Sequence, residues 1–282
     1  MNPTRARQQR SLAIASIALL VLIGPSNVPA AAPAGGQSVN AARREEVYYY
    51  LVFSNAVAGR EDEYNRWYDT QHAPDVVAVP GFVTAQRLVA ADAQLRRTTP
   101  PTKYLVVYQI VTNDLPAVNR EVVRRIQTGQ TVMSPAFDGR AAAPNGIFRA
   151  MGPVLEHRGW TPETSDGSTY YQLVFVNPVP GRDREFNAWY DQQHLPEMVS
   201  MPGFANGRRL QLVEADPGGS RSPFEYLVLY QLITGDLPSV FETFRRRSAT
   251  MATSPAFGDS VAYTYKTIGP LLSGDEVRRQ RR

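Results

Sequence analysis

The 282-residue sequence contains no cysteine and only three histidines, and these scarcities exclude several classes of site. Without cysteine there can be no disulfide, no thiolate metal site, no cysteine nucleophile and no lipid-modified cysteine. A chain of this length can bury a core without disulfides, so their absence is compatible with export. One histidine in each half of the chain is too few for a dedicated zinc or non-haem iron site. We therefore expect no metal and no cofactor, although haem held by a single axial histidine is a chemical alternative.

Long apolar runs are also scarce: there is one, from Leu12 to Ile23, and it lies near the N-terminus. Arginines precede it, Gly24-Pro25 ends it and small residues follow at 30–34, which is the pattern of a secretory signal peptide. The run is shorter than the roughly 20 residues that a membrane span needs. We predict a signal peptide over residues 1–34, cleaved near its end, with an uncleaved anchor as the alternative. The mature protein is then periplasmic or secreted, without a stable membrane span.

The net charge of +4 comes from the ends of the chain. The predicted signal peptide holds three arginines and no acid, which leaves about +1 for the rest. Four more arginines lie in the segment 278–282. A near-neutral body gives little support for nucleic-acid binding, so we expect no nucleic-acid partner. The basic tail, residues 273–282, is expected to be solvated and disordered, with a weak contact to an anionic surface as an alternative.

One stretch of the sequence is written twice. Residues 63–75 read EYNRWYDTQHAPD, residues 185–197 read EFNAWYDQQHLPE, and Pro-Gly-Phe follows each at the same distance. The tryptophans and histidines of the two copies are 122 residues apart. A later motif, Ser-Pro-Ala-Phe at 134–137 and 254–257, is offset by only 120, so the second copy lacks two residues within or near its second helix. An internal repeat of this kind predicts two equivalent structural units.

Helical spacing gives the repeated stretch an aromatic face that also carries an amide and an imidazole. The faces comprise Tyr64, Trp67, Tyr68, Gln71 and His72 in the first copy, and Phe186, Trp189, Tyr190, Gln193 and His194 in the second. Pro74 and Pro196 are expected to end the helices, because the residue before a proline disfavours helical geometry. Each histidine then either binds free carbonyls of the last turn or is presented to a cavity.

Strand and helix patterns around the repeat have the order strand–helix–strand–strand–helix–strand in both halves. This predicts an α+β fold of two ferredoxin-like βαββαβ repeats in one chain, with their open sheet faces packed against each other. We assign a linker to 35–46, the first repeat to 47–155, a second linker to 156–168 and the second repeat to 169–272. The third histidine, His157, lies at the start of the second linker and is given no role.

The repeated motif resembles the EthD-like branch of the dimeric α/β-barrel superfamily. The matching residues are Asn55, Gly59-Arg60, Glu63, Trp67-Tyr68, Gln71-His72, Pro74-Asp75, Pro80-Gly81-Phe82 and Arg87, with counterparts at 177–209. The resemblance covers nearly all of 47–155 and 169–272. It implies two ferredoxin-like halves that pair as a barrel, usually in a homodimer and here within one chain. Members of the superfamily include cofactor-free monooxygenases, isomerases, decarboxylases, dehydratases, haem enzymes and proteins without known activity, so the fold alone does not choose a reaction.

His72 and His194 are the candidate general acid–base groups, since imidazole titrates near neutral pH. Asp69 and Asp191, three residues earlier, or Asp75 and Glu197, three residues later, could orient the rings; all four could equally be solvated acids. Further candidates for substrate binding lie on the predicted helix face and strands: Trp67, Tyr68, Gln71, Arg87, Tyr104, Tyr108, Trp189, Tyr190, Gln193, Arg209, Tyr226 and Tyr230. The two strand arginines face either a cavity or solvent, and the four strand tyrosines either bind a ligand or pack on the sheet with hydrated hydroxyls.

No phosphate-binding loop, dinucleotide fingerprint or nucleophile elbow is present in the sequence. We therefore predict an exported, cofactor-independent enzyme that acts on a small aromatic or apolar compound by proton transfer, of the lyase, isomerase or decarboxylase type. A non-catalytic protein that binds a small molecule or takes part in an assembly is the alternative, and a cofactor-free monooxygenase or haem-binding relative is the second. The two repeats pair within the chain, and further homo-oligomers remain open.

Overall fold

The two halves of the chain contain the same main elements in the same order. The structure is a computed structural model, which describes residues 45–159, 167–214, 217, 219 and 221–282. The first half comprises β1 (Glu46–Ala56), α1 (Glu61–Trp67), a π-helical turn (Tyr68–His72), α2 (Ala73–Val77), β2 (Phe82–Ala90), β3 (Tyr104–Thr112), α3 (Leu115–Gln127), β4 (Phe137–Asp138), β5 (Gly146–Ala150) and β6 (Leu155–Glu156). The second comprises β7 (Ser168–Pro178), α4 (Asp183–Trp189), a π-helical turn (Tyr190–His194), α5 (Leu195–Val199), β8 (Phe204–Glu214), β9 (Tyr226–Thr234), α6 (Leu237–Ser248) and β10 (Phe257–Ser273), and α7 (Gly274–Gln280) follows. The predicted signal peptide, most of the first linker and the centre of the second lie outside the described residues.

The main strands form one closed antiparallel sheet. Each half has the ferredoxin-like strand order, β5-β1-β3-β2 in the first and β10-β7-β9-β8 in the second. The pairs β2–β10 and β5–β8 then join the half-sheets at both edges. The protein is thus an α+β chain whose two ferredoxin-like halves make one α/β barrel. The half-sheets pack face to face as expected. They also pair along both edges, so the backbone N–H and C=O groups of the edge strands are hydrogen-bonded.

Alternating side chains of each strand separate the core into an interior and two helical layers. On β3, Leu105 and Val107 point into the barrel, where they pack with residues of both halves such as Phe148 and Phe175. Tyr104 and Tyr108 point outward, against the helices of the first half. The second half has an equivalent outer layer. The histidines of the repeat therefore lie between helix and sheet, outside the barrel interior.

The prediction that Pro74 and Pro196 end the helices is wrong. The helical path runs from Glu61 through the π-helical turn to Val77, and Ala73, the residue before Pro74, has helical dihedral angles (φ −62°, ψ −42°). A proline in a helix lacks one N–H and its ring crowds the preceding turn. The wider π turn directly before it, in which the Ala73 N–H bonds the Tyr68 carbonyl, relieves this conflict. No helix among the described residues is long and apolar enough to cross a membrane.

The basic tail is ordered on the surface of the first half, contrary to the expectation of a disordered end. It forms α7, with Ser273 as its N-cap. The Arg278 guanidinium donates to the carbonyl oxygens of Val77 (3.1 Å) and Phe82 (3.0 Å), and Arg281 pairs with Asp75 at 2.8 Å. The Val77 contact satisfies a carbonyl at the end of α2 that lacks a helical partner, and the Phe82 contact fixes the tail to the start of β2. Tail arginines counted as surface charge are therefore structural donors.

The start of the second linker is also bound to the fold. Glu156 pairs with Asn206 of β8, and the His157 ring nitrogen Nδ1 lies 3.0 Å from the carbonyl oxygen of Phe204. The part of this linker that the structure describes before residue 160 thus forms an extra edge on the second half. His157 has a structural contact and lies apart from the repeated motif.

Replacing Gly274 with alanine should detach α7, with a loss of about 2 kcal/mol in the free energy of unfolding. A Cβ atom there would lie 2.4 Å from the Phe82 carbonyl oxygen and 2.9 Å from that of Val77. Gly152→Ala is the matched control, because a Cβ at Gly152 meets nothing within 4 Å and should change stability by less than about 0.5 kcal/mol. Urea unfolding of both variants measures the difference; equal stabilities would show that the tail does not contribute.

Candidate functional site

Each half surrounds its repeated histidine with aromatic rings. His72 stacks on Trp67 with ring centroids 4.4 Å apart, and His194 stacks on Trp189 at 4.5 Å. Both partners are five residues apart in sequence, which an α-helix would place on different sides. The π-helical turn contains more residues per turn and brings the histidine back over the tryptophan. The turn thus creates the Trp–His pair in both halves.

The same turn moves the glutamines out of the predicted aromatic face. Gln71 and Gln193 are exposed to solvent, while Tyr68 and Tyr190 are buried. Helical spacing without the π turn placed the glutamines beside the histidines, and this prediction is wrong. The two glutamines do not line the site.

The strand arginines hold the helix that carries the histidine. Arg209 is 3% exposed and donates to the Asn187 side-chain oxygen at 2.5 Å and to the Asp191 carboxylate at 2.7 Å. Its guanidinium carbon also lies 4.9 Å from the centre of the Tyr190 ring. In the first half, Arg87 makes the equivalent contacts with Asn65, Asp69 and Tyr68.

The carboxylates of Asp69 and Asp191 have a partner that the sequence did not predict. They were expected either to orient the imidazoles or to be solvated, but the structure pairs them with Arg87 and Arg209. Neither arginine faces solvent, and neither lines the pocket described below. A buried guanidinium needs such partners, because an unpaired charge in an apolar layer is costly. Both arginines and both aspartates are thus part of the support of the site.

The four strand tyrosines are buried and pack on the sheet, which is one of the two arrangements expected. Tyr104 and Tyr226 are buried, and their hydroxyl oxygens accept from Asn65 and Asn187 at 3.2 Å. The buried hydroxyls of Tyr68 and Tyr108 interact with each other, as do those of Tyr190 and Tyr230, and none of the four bonds another group within the described residues. Burial raises the pKa of Tyr190 to about 12, so this phenol stays protonated at neutral pH.

The imidazoles are neutral at physiological pH. Burial lowers the pKa of His194 to about 4, and it lowers the pKa of His72 to about 4 against a smaller opposing effect of the Val132 carbonyl. The buried Nδ1 atoms of both rings have no hydrogen-bond partner in the part of the chain that the structure describes. A neutral imidazole with a free ring nitrogen can accept a proton or a hydrogen bond. At neutral pH it is not the cationic acid that a two-way acid–base role also requires.

The two sites differ at the indole nitrogen. Trp67 Nε1 donates to the Val132 carbonyl oxygen at 2.8 Å, in the segment that follows α3. The corresponding Trp189 Nε1 is buried and has no partner among the residues described. At the offset of 120 that holds for the segment after α6, Ala252 takes the place of Val132, but Trp189 Nε1 does not bond its carbonyl oxygen. In the first half the indole N–H is thus bonded to a backbone carbonyl, whereas among the described residues the indole N–H of the second half has no partner.

A pocket of about 240 Å³ lies next to this free donor in the second half. It is lined mainly by apolar and aromatic side chains from α4–α6, the outer face of the sheet and the 91–102 loop of the first half. The lining comprises Leu95, Arg96, Val174, Trp189, Tyr190, His194, Met198, Tyr230, Phe244, Ser248, Met251, Ala252, Thr253, Ser254, Phe257 and Ala262. Its size and composition are those of a site for a small, largely apolar molecule.

Of the predicted site residues, the pocket brings together Trp189, Tyr190, His194 and Tyr230. Two groups were missed by sequence reasoning: the end of α6 with the segment after it, and the loop from the other half. The change of offset from 122 to 120 signals the first group, because it marks where the copies diverge. The loop gives no such signal, since its position over the second half depends on barrel closure.

The described residues contain no group of three or more histidine, aspartate or glutamate side chains that could hold a metal ion. The polar side-chain groups of the pocket lining are instead ring nitrogens, hydroxyls and the Arg96 guanidinium. The arrangement is suited to hydrogen bonding and proton transfer with an organic ligand.

No protein-family model and no curated protein matches the chain. Several solved structures do. An anthrone oxidase-like protein matches with 12% identity over 81% of this chain and 93% of its own, with a TM-score of 0.49. A candidate monooxygenase from Fusobacterium nucleatum matches with 10% identity over 82% and 95% of the two chains, with a TM-score of 0.47. A further candidate monooxygenase, from Lactobacillus acidophilus, has 11% identity over 82% and 97%, with a TM-score of 0.43. Similarity at this level does not identify a reaction.

Proposed function

We propose that the second half binds a small aromatic or apolar compound in the pocket and that His194 accepts a proton from it. The observation that carries this proposal is the pair of buried, unpartnered nitrogens, Trp189 Nε1 and His194 Nδ1, within the described part of the pocket. A buried polar group without a partner costs about 1–3 kcal/mol, so a ligand that supplies partners gains this free energy on binding. The indole N–H can donate to a ligand oxygen while the imidazole accepts.

The proposed step breaks an O–H or activated C–H bond of the ligand and forms an N–H bond at His194, and the electron pair stays on the ligand. A neutral imidazole is the correct starting state for this transfer. Negative charge that develops on the ligand beside the ring favours the imidazolium, which offsets the effect of burial on basicity. Trp189 Nε1 can stabilise the same charge. Lyase, isomerase and cofactor-free monooxygenase reactions can begin with this proton transfer.

The first half is proposed to be the inactive copy. His72 is 8% exposed, and the Val132 carbonyl occupies the indole nitrogen that a ligand would need. Among the described residues, the second half has a free indole donor with a pocket beside it. This makes His72→Gln an internal control for His194→Gln, because the two rings have the same stacking geometry.

Aromatic acids, ketones and phenols that bind should raise the melting temperature by about 3–5 °C at tenfold their dissociation constant. His194→Gln should lose most of this ligand-induced increase, since Gln lacks the ring nitrogen in that position. His72→Gln should keep it, even where the substitution lowers the melting temperature without ligand. Thermal denaturation with and without each compound measures this, and conversion of binders is followed by chromatography. Equal losses in both variants would contradict the assignment to the second half.

A non-catalytic binding protein is the second candidate, and the engagement of Asp191 with Arg209 favours it. Catalytic histidines are commonly oriented by a carboxylate, but here the Asp191 carboxylate binds Arg209 and not the histidine. A compound that binds with His194-dependent affinity but is recovered unchanged, and exchanges no proton with deuterated solvent, would support this candidate over the enzyme.

We also propose that the chain is exported, that it is an EthD-like member of its superfamily and that it arose by tandem duplication. Export rests on the N-terminal sequence pattern alone. The other two proposals are supported by the repeated motif and by the equal order of elements in the halves.

A further inference from the structure

A loop of the first half contributes the charged residue of the second half's pocket. Arg96 lies in the 91–102 loop, which crosses over β10 and lines the pocket together with Leu95. The Gln94 side chain holds this loop by bonds to the Thr264 backbone, donating to its carbonyl at 2.9 Å and accepting from its N–H at 2.8 Å. Thr98 adds a bond to the Ala262 carbonyl at 2.7 Å. The position of Arg96 is therefore set by a fixed loop.

Arg96 has an uncompensated charge. Its guanidinium donates to the Ser260 hydroxyl at 2.9 Å, and it forms no ion pair with any acid that the structure describes. No carboxylate is among the residues described as lining the pocket. His194 and the two tyrosines of the lining are neutral. Arg96 is thus the one ionised side chain of that lining.

The surface next to the pocket has the same sign. Ser248, which lines the pocket, is the last residue of α6, and the preceding turn carries three exposed arginines, Arg245, Arg246 and Arg247. A mostly apolar cavity with a cation at its wall and positive charge outside attracts anionic ligands and raises their local concentration.

We propose that the pocket selects compounds in which an aromatic ring system carries a carboxylate, and that Arg96 is the residue that binds the carboxylate. The proposal rests on the proposed function and names the substrate class of the same site. The ring packs among Trp189, Phe244 and Phe257, and the acid group meets the guanidinium, whose planar fork matches a carboxylate. The reactive atom then lies between the charged anchor and His194. Specificity in the second half thus comes from the first half.

The test compares an acid with its neutral counterpart. Binding of 2-naphthoate and 2-naphthamide to the full-length protein is measured by isothermal titration calorimetry. The acid should bind about tenfold more tightly than the amide, and this preference should shrink as salt is added, because Arg96 is exposed to solvent. Arg96→Gln should weaken binding of the acid by about tenfold and leave the amide within about twofold. Arg96→Lys should keep part of the preference for the acid.

Arg97→Gln is the matched control. Arg97 is exposed like Arg96 and lies next to it in the same loop, but it is not part of the lining, and its loss changes the net charge by the same amount. It should change binding of the acid by less than about twofold. Equal melting temperatures of the two glutamine variants would exclude a displaced loop as the cause.

Other outcomes overturn the inference in distinguishable ways. If the amide binds with His194-dependent affinity and the acid binds no more tightly, the proposed function stands and the role of Arg96 fails. If Arg96→Gln weakens both compounds alike, the arginine has no role in choosing the acid. If neither compound binds, both the proposed function for ring-sized ligands and this inference fail.

Discussion

Replacing Arg209 with methionine should lower the free energy of unfolding by about 3 kcal/mol, the largest effect expected of a single side chain in the support of the site. The guanidinium is almost fully buried and binds the Asn187 side chain and the Asp191 carboxylate. Methionine fills much of the space but cannot donate, so the Asn187 oxygen loses its charged partner. The link from β8 to the helix that carries His194 is lost as well. Urea unfolding followed by circular dichroism measures the change.

Arg184→Met is the control, because Arg184 is exposed on the neighbouring helix α4 and should cost less than about 0.5 kcal/mol. Combining Arg209→Met with Asp191→Asn in a double-mutant cycle isolates the ion pair. Asp191 is 57% exposed, so this pair should contribute only about 1 kcal/mol of the total. A stable Arg209→Met variant that also keeps ligand binding would show that the buried arginine does not position the site.

The fold could be predicted from the sequence because its signals are repeated and local. The aromatic and β-branched runs at 47–55 and 170–177 are strand signals that the structure places in β1 and β7. Asp114 and Asp236 act as helix caps through their side chains, accepting from the N–H groups of Ala117 and Ser239. Each half also leaves one sheet face uncovered, which predicts that the two faces pack together.

The π-helical turns could not be predicted in the same way. A rule that treats proline as the end of a helix ignores the alternative of a wider turn, and the choice between the two depends on tertiary contacts. Here the stacked Trp189–His194 pair and the Arg209 contacts favour the wider turn. This error affected two further predictions. A regular helix placed Gln193 on the aromatic face, and it left Asp191 available to orient His194.

The tail and the pocket depend on contacts between distant parts of the chain. Arg281 pairs with Asp75 across 206 positions, and Leu95 and Arg96 reach a pocket whose remaining lining residues begin at Val174. Neither relation has a periodic signature in the sequence. Barrel closure creates both, by placing the end of β10 beside β2.

Acidification should destabilise the protein partly through His72, and His72→Gln should remove this part. The folded pKa of His72 is about 4, whereas an exposed histidine titrates near 6.5. The unfolded chain therefore takes up the proton first as the pH falls. The contribution of His72 is complete above pH 6.5 and is lost progressively towards pH 4, by about 2 kcal/mol at pH 5 and about 3 kcal/mol at pH 4.

Urea unfolding of the wild type and the variant between pH 7 and pH 4 tests this through the difference between their free energies, which cancels the titration of the carboxylates. The difference should shrink by about 2 kcal/mol from pH 7 to pH 5. Curves that stay parallel would mean that the ring is accessible to protons in the folded state. His194→Gln should show a change of similar size, because burial also lowers the pKa of His194 to about 4. A ligand that donates to His194 Nδ1 should increase the change, since it binds only the neutral ring; the first half, closed by Val132, should show no such response.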